Sequence, residues 1–398
     1  MAPHVSYPLQ DVPGIDISPV VRDLIDRGPV HPVDTAGGRI GWLVTGHDAV
    51  QEVLRDPQFS RAAMTGDAAD PLGGAFEGPG AIVSLDPPDH TRVRKVIAAS
   101  FTPRTITRLR PGVEVIAEQL VTAMIASGSP GDLVAGVGVP LPLMVICELL
   151  GVPYEDRATF SRWADSIMAI SSISPDEASA NKQSLLGYLH DLVRARRNEA
   201  QHDLVSLLAH TPTGDGTPLD GLEIANLCIG ILVGGYDTTA NEICNMVFLL
   251  CTNPHLMAHA RTGSTGLNET IDEMMRWIAL SINVGFPRKA TRDTVLGGQP
   301  IAAGDVVFPD VIAANRDASV FADPHSLVPG RENQRRTLLF GSGPHFCPGA
   351  HLARTEIEVA LSTLLRRLPG LRLAVAPEEV PWRWGQLVRG PRELLISW

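Results

Sequence analysis

Phe340-Gly341-Ser342-Gly343-Pro344-His345-Phe346-Cys347-Pro348-Gly349 carries three glycines and two prolines in ten residues. That content forces a tight, irregular loop whose backbone can approach a flat ligand closely. A helix is predicted from about Ala350 to Leu368. Its positive N-terminal end would point back at the Cys347 sulfur, lower the thiol pKa and steady an anionic metal ligand. Other readings compete. A cysteine in a turn can be an inert core residue. His345, Cys347 and His351 could begin a zinc site, but zinc takes four ligands and no second pair is evident. A dinucleotide loop fails because Phe346 stands where GxGxxG needs its last glycine.

Outward from this loop, the chain has 398 residues, 44% apolar and 19% charged, with a net charge of −11. That describes a folded globular protein with a sizeable core, and without a basic block nucleic acid is excluded as a partner. No stretch reaches the ~20 apolar residues of a membrane span. The start lacks the basic and apolar regions of a signal peptide, so a cytoplasmic location is expected. The five cysteines make an odd count without CxxC spacing, which argues against disulfide frameworks and iron–sulfur sites.

Roughly the first 40 residues are Pro-rich and read as irregular. A strand is predicted at Arg39–Gly46, then a helix at His47–Arg55 and a long loop over 60–85. From Pro88 to Cys251 the three-to-four apolar spacing predicts helices broken near Gly112, Gly131, Pro153 and Thr211–Pro218. Leu222–Cys251 reads as one long helix and Asn268–Leu280 as another. Short strands and turns follow, then an irregular segment from Asn315 to Arg336. The expectation is a single mostly-α domain over residues 1–398 with small β-sheets.

The decapeptide matches the FGxGxHxCxG signature of the cytochrome P450 family, and the chain resembles that family over about residues 40–398. The resemblance implies a triangular haem domain with Cys347 as axial thiolate to haem b iron. It places Phe340, His345 and Gly349 at the cofactor, His345 toward a propionate. Pro348 departs from a donor: lacking an N–H, it removes one hydrogen bond to the sulfur and should lower the reduction potential.

Gly234-Gly235-Tyr236-Asp237-Thr238-Thr239 sits inside the long helix, where two glycines cost about 1 kcal/mol each relative to alanine. Close helix packing would explain them. By resemblance, Gly234 and Gly235 instead leave room for dioxygen, and Asp237 with Thr238 relays protons. Glu273-Met274-Met275-Arg276 alone reads as an exposed ion pair, but the family buries it; Arg331 is the expected third partner. His90 and Arg94 share a helix face, and with Arg288 they are implied to hold the haem propionates.

Substrate contacts are implied at Met64, Phe76 and Val83 in the loop, and at Leu232, Val233 and Tyr236 in the long helix. Ile282, Asn283, Val284 and Phe286 extend the set, with Leu387 and Val388 from the C-terminal turn. The implied activity is monooxygenation of a small hydrophobic secondary metabolite, aromatic polyketides and cyclic dipeptides being the two classes to screen first. A separate ferredoxin and its reductase would supply electrons, docking near Cys347 at Arg92, Lys95, Arg335, Arg336 and Arg354. Oxidative coupling or desaturation is the alternative chemistry. A non-catalytic haem sensor or carrier is the rival class, and the intact Asp237–Thr238 pair argues against it.

Overall fold

The computed structural model describes residues 5–7, 14–35, 38–70, 78, 80–169, 171–214, 216–281 and 286–398. Its helices in chain order are α1 (Pro19–Arg27), α2 (His47–Arg55), α3 (Asp89–Ala98), α4 (Pro103–Ser127) and α5 (Pro140–Leu150). There follow α6 (Arg157–Ile167), α7 (Pro175–Asn198), α8 (Leu204–His210), α9 (Gly221–Thr252) and α10 (Pro254–Ala260). The last are α11 (Ser264–Trp277), α12 (Val311–Ala314) and α13 (Ala350–Arg367). The strands are β1 (Val5–Tyr7), β2 (Val30–Thr35), β3 (Ile40–Val44), β4 (Phe59–Ser60), β5 (Gly131–Asp132) and β6 (Arg288–Ala290). β7 (Thr294–Leu296), β8 (Gln299–Ile301), β9 (Val306–Pro309), β10 (Arg372–Leu373) and β11 (Leu395–Ser397) complete them. The fold is mostly α with small sheets, as expected.

α9 runs through the middle of the molecule. Asp220 caps it: its Oδ1 accepts from the N–H groups of Leu222 and Glu223, each at 2.8 Å, and Glu223 returns a bond to Asp220 N. That reciprocal box satisfies N–H groups the helix cannot. Apolar residues such as Leu227, Leu232, Ile243 and Val247 are buried around its circumference, as a helix enclosed by others requires. α5, α6, α7, α8, α10, α11 and α13 pack on it.

The largest sheet has the order β1-β2-β3-β9-β6-β4. Side chains alternate between its faces. Val44 and Val307 join one core cluster with α2 and α12, while Leu43, Val306 and Phe308 join another with Tyr7 and Met64. β7 and β8 form a hairpin closed by Gly297 and Gly298, with φ of 55° and 84°, the pair of left-handed residues a two-residue turn demands.

Three expectations need correction. The first 40 residues hold β1, α1 and β2, and β2 pairs with β3 over five residue pairs; Pro19 opens α1 and Pro32 lies within β2. The predicted break at Gly112 is absent, because α4 continues through Pro111 and buries Val113, Ile116, Ala117 and Val121. Tertiary packing there overrides local propensity. α11 starts and ends a few residues early, the chain turning extended at Ile278 so that Ala279 N bonds Ile15 O at 2.8 Å.

Candidate active site

Two glycines set the path of the cysteine loop. Gly341 and Gly343 have φ of 75° and 70°, the left-handed region that glycine enters without penalty. A Cβ on Gly343 would strike Leu54 O at 2.6 Å, so the loop lies hard against the end of α2. Arg55 Nε donates to Ser342 Oγ at 2.8 Å, and Cys347 N donates to Phe340 O at 2.9 Å. Beyond it, the N–H groups of Gly349 and Ala350 donate to the Cys347 sulfur. Pro348 between them has no N–H to give. The sequence-based expectation of a lowered thiol pKa is not met. Burial pushes it above its ordinary value, while the two N–H groups and the Arg94 guanidinium pull the other way.

A cationic cluster adjoins the sulfur. His90 and Arg94 lie one turn apart on α3, and Arg94 Nη2 donates to Phe346 O at 2.6 Å. The rings of His90 and His345 stand 4.3 Å apart. Arg288 opens β6 and is 3% exposed. Burial, with the neighbouring cations, pushes His90 down to about 4 and His345 to about 2; burial and Arg61 bring Arg288 to about 9. His90 Nε2, His345 Nε2 and Arg288 Nε are buried without a hydrogen-bond partner. A buried guanidinium and unsatisfied ring nitrogens are costly unless an anion meets them. The two carboxylates of a haem fit this donor set, and the cysteine sulfur fits its iron.

On α9, Gly230, Gly234 and Thr238 recur every four residues and share a helix face. A Cβ at Gly230 or Gly234 would meet nothing within 4 Å, and Thr238 Oγ1 donates to Gly234 O at 2.5 Å. Gly235 is different: its Cβ would stand 3.1 Å from Ile146 Cδ1, so it serves packing against α5 and not an open groove. Next to Thr238, Asp237 is 2% exposed. Its Oδ1 accepts from Arg383 Nη1 at 2.7 Å and Asn241 Nδ2 at 2.9 Å, and Oδ2 has no partner.

Several expected substrate contacts fall elsewhere. Leu232 and Tyr236 project from the side of α9 opposite Gly234, and the Tyr236 hydroxyl lies 2.9 Å from Ser161 Oγ on α6. Val233 is fully buried in the main core. Met64 is 1% exposed and packs with Tyr7, Leu24 and Leu43 beside the sheet. Their hydrophobicity reflects core packing. Val83 is half-buried in a turn whose carbonyl accepts from Arg61 Nε at 2.9 Å. Phe286 has φ 53°, and its ring lies 5.3 Å from the Arg61 guanidinium. Leu387 and Val388 are buried where the C-terminal turn bonds Met168 and bridges to Ser281. Phe76, Ile282, Asn283 and Val284 lie outside the described residues.

Glu273 and Arg276 are wholly buried, against their reading as a lone motif. Arg331 Nε reaches Glu273 Oε1 at 2.9 Å, where the resemblance puts it. Sequence reading missed Arg61, Asp86 and Arg383. Asp86 lies four residues before His90 and accepts from Arg61 N, a short-range signal that was available. The spacing of Gly230 from Gly234 and Thr238 was another. Arg383 is 146 residues from Asp237, and nothing local marks it.

Comparison with known proteins gives concordant matches. Residues 265–391 match the family model described as Cytochrome P450. The chain is 40% identical to nocardicin C N-oxygenase of Nocardia uniformis subsp. tsuyamanensis, covering 99% of this chain and 98% of that one. It is 38% identical to mycinamicin IV hydroxylase/epoxidase of Micromonospora griseorubida, again over 99% and 98%. Among solved structures, cytochrome P450mel 107F1 with biaryl coupling reactivity superposes with a TM-score of 0.91 at 37% identity, over 96% of both chains.

Proposed function

The chain belongs to the cytochrome P450 family, and from that premise we propose that it is a haem b monooxygenase oxidising a small hydrophobic secondary metabolite, with residues 1–398 as one haem domain. The observation that carries this is the Cys347 sulfur at the N-terminus of α13, beside Arg288, His90 and His345, each with a buried ring or guanidinium nitrogen that lacks a partner. Haem iron, when bound, supplies dioxygen activation. Cys347 ligates it; His90, Arg94, Arg288 and His345 hold its carboxylates, while Phe340, Gly349 and Gly234 shape the walls. Asp237 and Thr238 deliver protons along the open face of α9. Val83, Phe286, Leu387 and Val388 are the remaining substrate contacts, and aromatic polyketides and cyclic dipeptides are the two classes to screen first, the likeness to P450mel 107F1 with biaryl coupling reactivity supporting the aromatic class.

Electrons come from a ferredoxin and its reductase. Phe346 is 43% exposed next to Cys347, and a basic rim around an apolar centre suits an acidic carrier. Of the five rim residues, Arg92, Arg336 and Arg354 pair with Glu223, Asp48 and Asp272. Lys95 and Arg335 are exposed and are the stronger contacts. No described helix is long and apolar enough to cross a membrane, in keeping with a cytoplasmic location.

Oxidative coupling is the second reading, supported by the likeness to P450mel 107F1. Turnover under labelled dioxygen decides. Label in the product is expected; unlabelled coupled or desaturated product overturns insertion in favour of coupling.

A further inference from the structure

Phe286 keeps a backbone conformation that a bulky residue rarely adopts. Its φ of 53° lies in the left-handed region, which crowds the Cβ of any residue but glycine. Such a conformation persists only where its surroundings hold it, and it clusters at ligand sites. Here a guanidinium holds it. β4 pairs with β6 in the register Ser60↔Lys289, so Arg61 leaves the sheet beside Pro287 and Arg288. Arg61 Nη1 donates to the Pro287 carbonyl, and the guanidinium carbon stands 5.3 Å from the centre of the Phe286 ring, within cation–π range. The other edges of the group are used as well. Nε donates to Val83 O at 2.9 Å, and Nη2 lies 3.2 Å from Asp70 Oδ2. Asp86 fixes the backbone beneath, accepting from Arg61 N at 3.0 Å. Arg61 is 2% exposed and places a second buried cation near Arg288, whose pKa it helps to depress. That like-charge approach is unfavourable; Asp70 and Asp86 offset it.

We propose that Arg61 is a positioning residue for substrate selection: it holds Phe286 as a fixed wall of the site and so limits the bulk of the molecule that fits beside the haem. The inference rests on the reading of Phe286 as a substrate contact, and Arg61 acts only through it. Arginine suits this task and lysine does not. The planar fork donates along three edges while its face lies against an aromatic ring; an ammonium offers a point of charge and no flat face. The same fork joins Val83, another contact of that reading, to Phe286 through one side chain. Without the fork, Phe286 relaxes to an unstrained extended backbone. Its ring then leaves its place, and room opens for a bulkier group.

Two azoles of unequal bulk, imidazole and clotrimazole, test this in the haem-loaded enzyme. Each places a nitrogen on the iron and moves the Soret band, so spectral titration gives both dissociation constants. Their ratio reads how much bulk the site admits. Arg61→Lys keeps the charge and should shift the ratio about tenfold in favour of clotrimazole. Imidazole affinity and the carbon-monoxide band of the reduced protein should stay unchanged, whereas a general loss of structure would weaken both azoles together. Phe286→Ala should give the same shift, and adding Arg61→Lys to it should give no more, because the two residues act as one unit. Asp70→Asn loosens the same guanidinium without removing it; it should move the ratio in the same direction and stands in if Arg61→Lys does not fold. An unmoved ratio in Arg61→Lys, or in Asp70→Asn where it stands in, overturns the proposal. So does a full further shift when Arg61→Lys is added to Phe286→Ala. An unmoved ratio in Phe286→Ala itself overturns the reading of Phe286 as a contact, and the proposal with it.

Discussion

Glu273 and Arg276, three residues apart on α11, meet in a two-point ion pair from which solvent is excluded. Arg276 Nε lies 2.9 Å from Glu273 Oε2, and Nη2 lies 2.7 Å from Oε1. Glu273 Oε1 also accepts from Val328 N and Arg331 Nε, at 2.8 and 2.9 Å. Arg276 Nη1 reaches the carbonyls of Asn315 and Pro324, each at 2.8 Å. The pair thereby anchors the irregular segment that leads into the cysteine loop. Removing one partner strands a buried charge, so Glu273→Gln should cost about 3–5 kcal/mol of stability. Chemical denaturation of the haem-loaded protein measures it, and a loss below about 1 kcal/mol would contradict the anchoring role.

Glu242 on α9 is 2% exposed, and neither carboxyl oxygen has a hydrogen-bond partner. Burial raises it well above the ordinary 4.5, so it is neutral in the folded protein. The unfolded chain gives up that proton near 4.5 while the folded chain keeps it, and stability therefore falls as pH rises above that value. Glu242→Gln should raise Tm more at about pH 8 than at about pH 5. An equal effect at both would show that Glu242 folds as a carboxylate.

Pro348 withholds one N–H from a sulfur that already accepts from Gly349 and Ala350. Pro348→Leu restores that donor, drains charge from the thiolate and should raise the ferric/ferrous midpoint. A redox titration that finds no upward shift would mean the added N–H does not reach the sulfur.

Local grammar made much of this molecule legible. The Gly/Pro loop around Cys347, the capped 32-residue α9 and the ExxR of α11 each carry their signal within a few residues. What escaped depends on contacts distant in sequence. β2 becomes a strand by pairing with β3, and α4 survives Pro111 because its following turns bury against α13. The substrate side of α9 was misassigned for a related reason. Leu232, Val233 and Tyr236 look apolar on every side, and only the packing of α6 against α9 reveals which face is occupied.

The electron donor should sense charge at the rim near Phe346. A double variant, Lys95→Glu with Arg335→Glu, should slow haem reduction by an acidic ferredoxin several-fold and flatten its dependence on ionic strength. Stopped-flow reduction across a salt series measures both quantities. Unaltered rates at low salt would place the docking face elsewhere.

The central claim is that the Cys347 sulfur, steadied by the start of α13, ligates haem iron. The reduced protein in carbon monoxide tests it most directly. Thiolate ligation predicts a strongly red-shifted Soret band in wild type and its loss in Cys347→Ser, which should bind haem weakly or not at all. An unshifted, histidine-type band from correctly folded wild-type protein, or an undiminished red-shifted band in Cys347→Ser, would contradict it.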